Sequence, residues 1–349
     1  MAEKAGKGHK AFRIVTTLLI VLVAVVMSIL YIFVAPNVRT AEADQKHYLY
    51  IHEKDNFEDV LEHLREGDAM VNTGTFSLAA RLIRYDKRVR PGKYLLADGM
   101  SNLTLIRKLR NGAQEPVKLV INNIRTREQL AALVSRELMT DSASFINMLN
   151  NDTVMTGYGL TTATAVTLFI PNTYELYWNT DAGEFMDRMK KEYNRFWTTE
   201  RIAKASAIPM TAAEVMTLAS IIEEETNKRH EYPVIAGLYI NRLKIGMPLQ
   251  ACPTIRFALN DYTIKRVLFG HLKTESPYNT YKYKGLPPGP IRLPSIVCID
   301  AVLNHEKHDF LFMTAKESLN GEHNFAKTGE EHMRNARNYQ KALDERGIR

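Results

Sequence analysis

Residues 211–226, TAAEVMTLASIIEEET, decide how this chain reads. Thr211 and Glu214 stand at the Thr-x-x-Glu spacing of a capping box, in which two side chains and two backbone N–H groups satisfy one another, so a helix is expected to begin there. At about 100° per residue, Leu218 falls almost in line with Glu225, and Ile221 and Ile222 flank that line. Glu223 points to nearly the opposite side, beside Met216 and Ala219, and Glu224 lies between the two. Three adjacent acids are therefore not expected to share one role. A carboxyl held against apolar side chains keeps its proton toward neutral pH, which suits Glu225 to general-acid chemistry. The plainer alternative is a solvated acidic helix end.

Toward the N-terminus, residues 14–34, IVTTLLIVLVAVVMSILYIFV, carry no charge. At about 1.5 Å per residue such a helix crosses a hydrocarbon core of about 30 Å. Lys4, Lys7, Lys10 and Arg13 precede it, so the positive-inside rule makes residues 1–13 a cytoplasmic stub and puts everything past Ala35 outside. A cleaved signal peptide would have a shorter apolar region and a better small-residue site than Phe33-Val34-Ala35-Pro36. The net charge of +7 includes +3 from the first thirteen residues, which leaves the outer part only mildly basic. With no basic run interleaved with aromatics, nucleic acid is not an expected partner. Cys252 and Cys298 are too few for a disulfide framework and wrongly spaced for a zinc site. No His-Glu-x-x-His, Gly-x-Ser-x-Gly or phosphate-loop pattern occurs, so neither a metal nor a cofactor is expected.

The 349 residues, 45% of them hydrophobic, allow about two domains beyond the membrane segment. A polar linker is expected over residues 35–46. Beyond it, strand-like YLYI, helical residues 57–64 and 76–83, strand-like GKYLL (92–96) and helical residues 101–110 suit a small α+β module. Residues 117–121 read as a strand, residues 126–138 and 142–150 as helices, and LFIPNTY (168–174) as a loop at a core edge. Past the acidic helix, Pro233 opens another helix that Gly246 ends. MPLQACPT (247–254), YNTY (278–281) and GLPPGPI (285–291) are then rich in the residue types that line a groove for a polar, ring-shaped ligand.

The anchor, the Gly92-Lys93-Tyr94 module, Ala219 to Thr226, Asn241-Arg242-Leu243, Gly246-Met247, Leu249-Gln250, Pro253-Thr254, YNTY, GLPPGPI and His323-Asn324-Phe325 follow one another in an order that resembles the endolytic murein transglycosylases of the MltG, or YceG-like, type. The resemblance implies an α+β fold: one transmembrane helix, a LysM-like module over residues 47–115, and a YceG-type catalytic domain over residues 116–349 whose lysozyme-like helix carries the acid. It implies cleavage of peptidoglycan glycan strands between N-acetylmuramic acid and N-acetylglucosamine without water, the sugar's own 6-hydroxyl acting as nucleophile. Glycosidases that use water or a covalent intermediate need a second carboxylate, whereas a tethered hydroxyl replaces it by proximity. The setting implied is the inner membrane with the catalytic domain outside, beside peptidoglycan synthases, where cutting of nascent strands sets their length.

The family's catalytic residue lies in the acidic helix, whose motif ends in Glu-Thr, here Glu225 and Thr226. Glu225 is thus expected to act as acid and then base, with Glu223 in reserve or orienting substrate. Gln250, Asn279 and Tyr281 are expected to hold sugars, with Thr254 and Asn241 beside them, although Asn241 and Arg242 equally suit bracing the groove from behind. His323 suits either substrate contact or a structural role. Cys252 stands where Asp before Pro-Thr is usual, and Asn172 where Asp is common, each removing a charge near the expected groove. Two other readings stay open: a hydrolytic muramidase, and a membrane-tethered cell-wall binding protein with no catalysis.

Overall fold

The structure, a computed structural model, describes residues 2–40, 46–264 and 266–348. The chain forms two compact units, one of residues 1–117 and 175–180, the other of residues 118–174 and 181–349. Helices and short strands are mixed in both.

The first unit begins with α1 (Ala2–Val34), whose residues 12–34 contain an 18-residue stretch of mean hydropathy 3.0 and form a helix long and apolar enough to cross a membrane. There follow β1 (His47–Ile51), α2 (Phe57–Glu66), α3 (Thr73–Leu82), β2 (Gly92–Leu96) and α4 (Asn102–Asn111). The two strands pair antiparallel, with Leu49 opposite Tyr94 and Ile51 opposite Gly92. Their alternation sends Leu49, Ile51, Tyr94 and Leu96 into a core shared with Val60, Leu64, Phe76 and Ile106. Each helix starts on a polar cap, Asn56, Asn72 or Ser101, whose side chain accepts a first-turn N–H. Gly92 has φ +148°, and a side chain there would run into Gln114, so the Gly-Lys-Tyr turn needs its glycine.

Residues 36–38, expected in a linker, are instead part of this unit. Asn37 and Val38 are buried, Pro36 bridges to Ser101 and Val38 to Met70. The Asn37 side chain donates to Asn102 at 2.6 Å, and Asn102 donates to the Ile32 carbonyl at the end of α1. A buried amide can persist only when its donors and acceptors are met; Asn37 also donates to the Asn72 carbonyl and accepts the Asn72 N–H. Residues 41–45 of the expected linker lie outside the described residues.

The second unit holds most of β3 (Val117–Ile121), then α5 (Arg127–Glu137), α6 (Ser142–Leu149), α7 (Asp152–Gly157), the first three residues of β4 (Asn172–Leu176), α8 (Ala182–Phe196), α9 (Thr199–Ala207), α10 (Ala212–Glu225), α11 (Tyr232–Lys244), α12 (Cys252–Ala258), α13 (Ile296–Leu303), the antiparallel pair β5 (Phe312–Ala315) and β6 (His323–Ala326), and α14 (Gly329–Glu345). Thr211 caps α10 and exchanges hydrogen bonds with Glu214, as the spacing predicts. The facial argument needs correction. Residues 215–222 are buried without exception, so Met216 and Ala219 are as enclosed as Leu218 and Ile221. A helix apolar all round sits at the centre of its unit, here among α9, α11, α12 and α13.

The segment 168–174 also differs from its reading as a loop at a core edge. Leu168 and Phe169 are fully buried, and after Pro171 the chain enters β4, a place where a proline costs no ladder hydrogen bond. Helix α11 ends in a Schellman motif: Gly246, at φ +65°, donates to Leu243, and Met247 donates to Arg242. Inside α11, Gly237 has the Glu306 carbonyl where a Cβ would stand, 2.2 Å from that position. Gly237→Ala should therefore cost about 1–3 kcal/mol of stability by overpacking, read as a lower urea midpoint for the full chain in detergent; an unchanged midpoint would refute this close-packing account.

Candidate active site

The three acids at the end of α10 take three different partners. Glu223 accepts the Ser295 N–H at 2.7 Å, at the start of α13. Glu224 is clamped between Arg125 at 2.8 Å and Arg292 at 2.6 Å. Burial pushes the Glu224 carboxyl up, but the two guanidinium groups outweigh it and hold it below its ordinary value. Glu225 accepts a hydrogen bond from the Tyr239 hydroxyl of α11 at 2.9 Å. Here burial wins: the carboxyl is raised above its ordinary value, although the Tyr239 hydrogen bond and the nearby His323, Arg256 and Arg242 pull it down.

Two cavities of 340 and 470 Å³ share Glu225, Ala315 and His323 in their walls, so the acid faces open space on both sides. Gln250, Cys252, Tyr281 and His332 line the first, and Asn227, Lys228 and Glu322 the second. Gln250 is exposed and held at φ +52°, at the turn between α11 and α12. The Cys252 thiol lies 3.1 Å from the Tyr281 hydroxyl. Burial raises the thiol pKa more than that hydrogen bond lowers it, so it stays a neutral thiol and a poor nucleophile. Cys298 is buried in α13 and donates to the Ala219 carbonyl; both cysteines are free.

Gln250 and Tyr281 thus join Glu225, while four other expected ligands do not. Asn279 is fully buried, its amide donating to Leu272 and Thr274 and accepting from the Tyr281 N–H, so it shapes the turn that presents Tyr281. Thr254 is buried against Thr280 and Ala251. Asn241 donates to the carbonyls of His308 and Phe310 and lines a separate cavity of 800 Å³. Glu223 is occupied at α13. Asn172 is exposed on β4 and lines neither cavity at Glu225, so its missing charge does not bear on the acid. Another cavity, of 630 Å³ and walled in part by Tyr278 and Tyr262, also lacks Glu225; the acid with its polar neighbours, not volume, singles out the site.

The sequence reading did not single out Tyr239, Glu231 or Glu322. Glu231 is buried and accepts from Thr226, from the His323 backbone and, at 3.0 Å, from His323 Nδ1. Burial raises it, but the hydrogen bonds from His323 and Thr226 outweigh this and hold it ionised. With Nδ1 committed to Glu231, the His323 ring is fixed in orientation at the cavity wall. Arg242 donates to the carbonyls of Leu249 and Leu311, tying the Gln250 turn to the start of β5. Glu322 is paired with Lys316 at 2.9 Å, and that hydrogen bond with its charge holds the carboxyl at about 2, leaving it a weak base. No local motif marks these three residues: His323, which Glu231 orients, is 92 residues away, and the Glu231–Thr226 and Glu322–Lys316 pairs are close in sequence but follow no recognised spacing.

The chemistry available is a single carboxyl with a raised pKa, beside a phenol, an amide and an oriented imidazole. Such a group can protonate a leaving oxygen and then take a proton back. The raised Glu225 pKa also means that folding opposes its ionisation, so stability falls as pH rises from the ordinary carboxylate range through the raised value. Glu225→Gln should therefore be more stable than wild type at and above neutrality. The gain should shrink as pH falls toward the ordinary carboxylate range, in urea titrations across pH; a gain independent of pH would contradict the buried-acid assignment.

Comparison with known proteins gives a consistent result. An endolytic murein transglycosylase of Bacillus subtilis is 30% identical over 271 residues, which cover 73% of this chain and 74% of that protein. One of Streptococcus pneumoniae is 26% identical over 342 residues, 87% of this chain and 61% of its own longer sequence. The crystal structure of a YceG-like protein from Listeria monocytogenes superposes with a TM-score of 0.54 at 26% identity, covering 83% of this chain and 98% of that one. The profile of the YceG-like family matches residues 49–338, and the chain belongs to that family.

Proposed function

We propose that this protein is an endolytic lytic transglycosylase that cuts the N-acetylmuramic acid–N-acetylglucosamine bond of peptidoglycan strands and leaves 1,6-anhydro ends. The observation that carries the reading is Glu225: a carboxyl whose pKa burial raises, hydrogen-bonded to Tyr239, and open to polar cavities on both sides. The family relatives named endolytic murein transglycosylases support it.

In the proposed reaction Glu225 protonates the glycosidic oxygen, and the carboxylate so formed takes the proton of the 6-hydroxyl as that oxygen closes on the anomeric carbon. The Tyr239 hydroxyl steadies the carboxylate between the two steps. Gln250 and Tyr281 hold the sugars, and His323, oriented by Glu231, faces the same space. A hydrolytic course would need a second carboxylate able to activate water. Among the described residues the further carboxylate on these cavities, Glu322, is held at about 2.

The small unit is read as LysM-like and as a grip on the glycan. The apolar residues 14–34 of α1, preceded by basic residues, are read as an inner-membrane anchor with a cytoplasmic N-terminus and the catalytic unit outside, beside synthases whose nascent strands it shortens.

Digestion of glycan strands by the full chain in detergent, with mass spectrometry of the products, tests the reaction. The wild type should release internal fragments with anhydro ends, and Glu225→Gln should be slower by ~10²–10⁴-fold. Reducing ends would mean a hydrolase, and no release by wild type a binding protein. Tyr239→Phe removes a hydrogen bond that favours the carboxylate, so the basic limb of its pH–rate profile should move to higher pH. A limb that stays in place would detach Tyr239 from the titrating acid.

A further inference from the structure

Three metal-ligating side chains meet in the first unit. His52 follows β1, Asp55 precedes α2, and His63 lies in the last turn of α2. Asp55 Oδ2 is 3.4 Å from His52 Nδ1 and 3.6 Å from His63 Nδ1, and one donor atom from each residue lies within 4.8 Å of the others. These distances are long for a hydrogen bond between imidazole and carboxylate, which runs about 2.7–2.9 Å. They match the edge of a coordination tetrahedron. Bonds of about 2.0–2.2 Å from zinc to imidazole nitrogen and carboxylate oxygen place neighbouring donors about 3.3–3.5 Å apart.

A second, independent observation points the same way. His63 Nδ1 is buried with no hydrogen-bond partner, a state that buried polar atoms rarely occupy. The other two ligands are also held in place. Asp55 Oδ2 accepts the His52 backbone N–H at 2.7 Å, and the Trp178 ring stands edge-on to the His52 ring at 5.1 Å. Such supporting contacts fix ligand direction in metal sites.

We propose that His52 Nδ1, Asp55 Oδ2 and His63 Nδ1 bind a divalent transition-metal ion of the zinc type. Two imidazoles and one carboxylate suit such an ion, whereas calcium and magnesium take six or more oxygen ligands. The fourth position is left for water or an outside carboxylate, since the His52 side chain is half exposed. The ion ties the end of β1 to the last turn of α2. These ligands escape any local zinc spacing because a strand end, a turn and a helix end each contribute one.

The test is calorimetric titration of the chelator-stripped full chain in detergent with ZnCl2, and with MgCl2 for comparison, while tryptophan fluorescence reports on Trp178. One zinc ion per chain, a fluorescence change, a higher melting temperature with zinc, and no response to magnesium are expected. His63→Gln and Asp55→Asn should each weaken zinc at least tenfold, with the metal-free circular dichroism and melting temperature of the wild type. His52→Gln, at a half-exposed position, serves the same purpose if either of those variants fails to fold. No zinc response beyond that of magnesium, or zinc binding equal in wild type and folded variants, would overturn the proposal.

Discussion

A helix enclosed on every side has to end somewhere, and α10 ends in three carboxylates. Burying a charge is costly unless something compensates it, so the packing around residues 223–225 is organised by what each acid is given. A backbone N–H at the start of α13 meets Glu223, two arginines meet Glu224, and a single phenol meets Glu225. The compensation is generous for the second and thin for the third. That difference raises the pKa of one carboxyl and lowers that of its neighbour, and it depends on α11 and α13 holding their registers against α10.

The same economy recurs around the cavities. Glu231 is as buried as any carboxylate here, yet it stays charged because His323 and Thr226 both donate to it, and in return it fixes the imidazole. Glu322 is held down by Lys316. Of three acids near one space, Glu231 and Glu322 are therefore held below the ordinary carboxylate range and Glu225 above it, and the separation, not the presence of any one carboxylate, is what distinguishes an acid from structural charges.

Much of this was legible in the sequence because it is local. The Thr211–Glu214 cap, the Gly246 stop and the β1–α2–α3–β2–α4 order rest on spacings within a few residues of one another. The family resemblance supplied the substrate class, which no spacing could. What stayed hidden was non-local. Asn279, Thr254 and Asn241 look like sugar ligands as isolated polar residues in loops or near a helix end, but their hydrogen bonds are spent on backbone and on Thr280. The helical-face argument chose Glu225 although α10 has no exposed face at all; the partner set, not the face, is the distinguishing physics. Helices α8, α9, α12, α13 and α14 and the β5–β6 pair were not read, and residues 36–38 were read as a linker because nothing local reveals that Asn37 meets Asn102.

That last contact has a mechanical meaning. Because Asn37 and Val38 are buried and Asn102 holds the Ile32 carbonyl, the junction between α1 and the small unit has no slack where it leaves the helix. In a bilayer, a tether of this kind does not act as a leash that lets its load wander. It acts as a stem: any tilt or rotation that the surrounding lipid imposes on the apolar helix is passed directly to the unit mounted on it, so membrane thickness becomes a variable that steers its orientation.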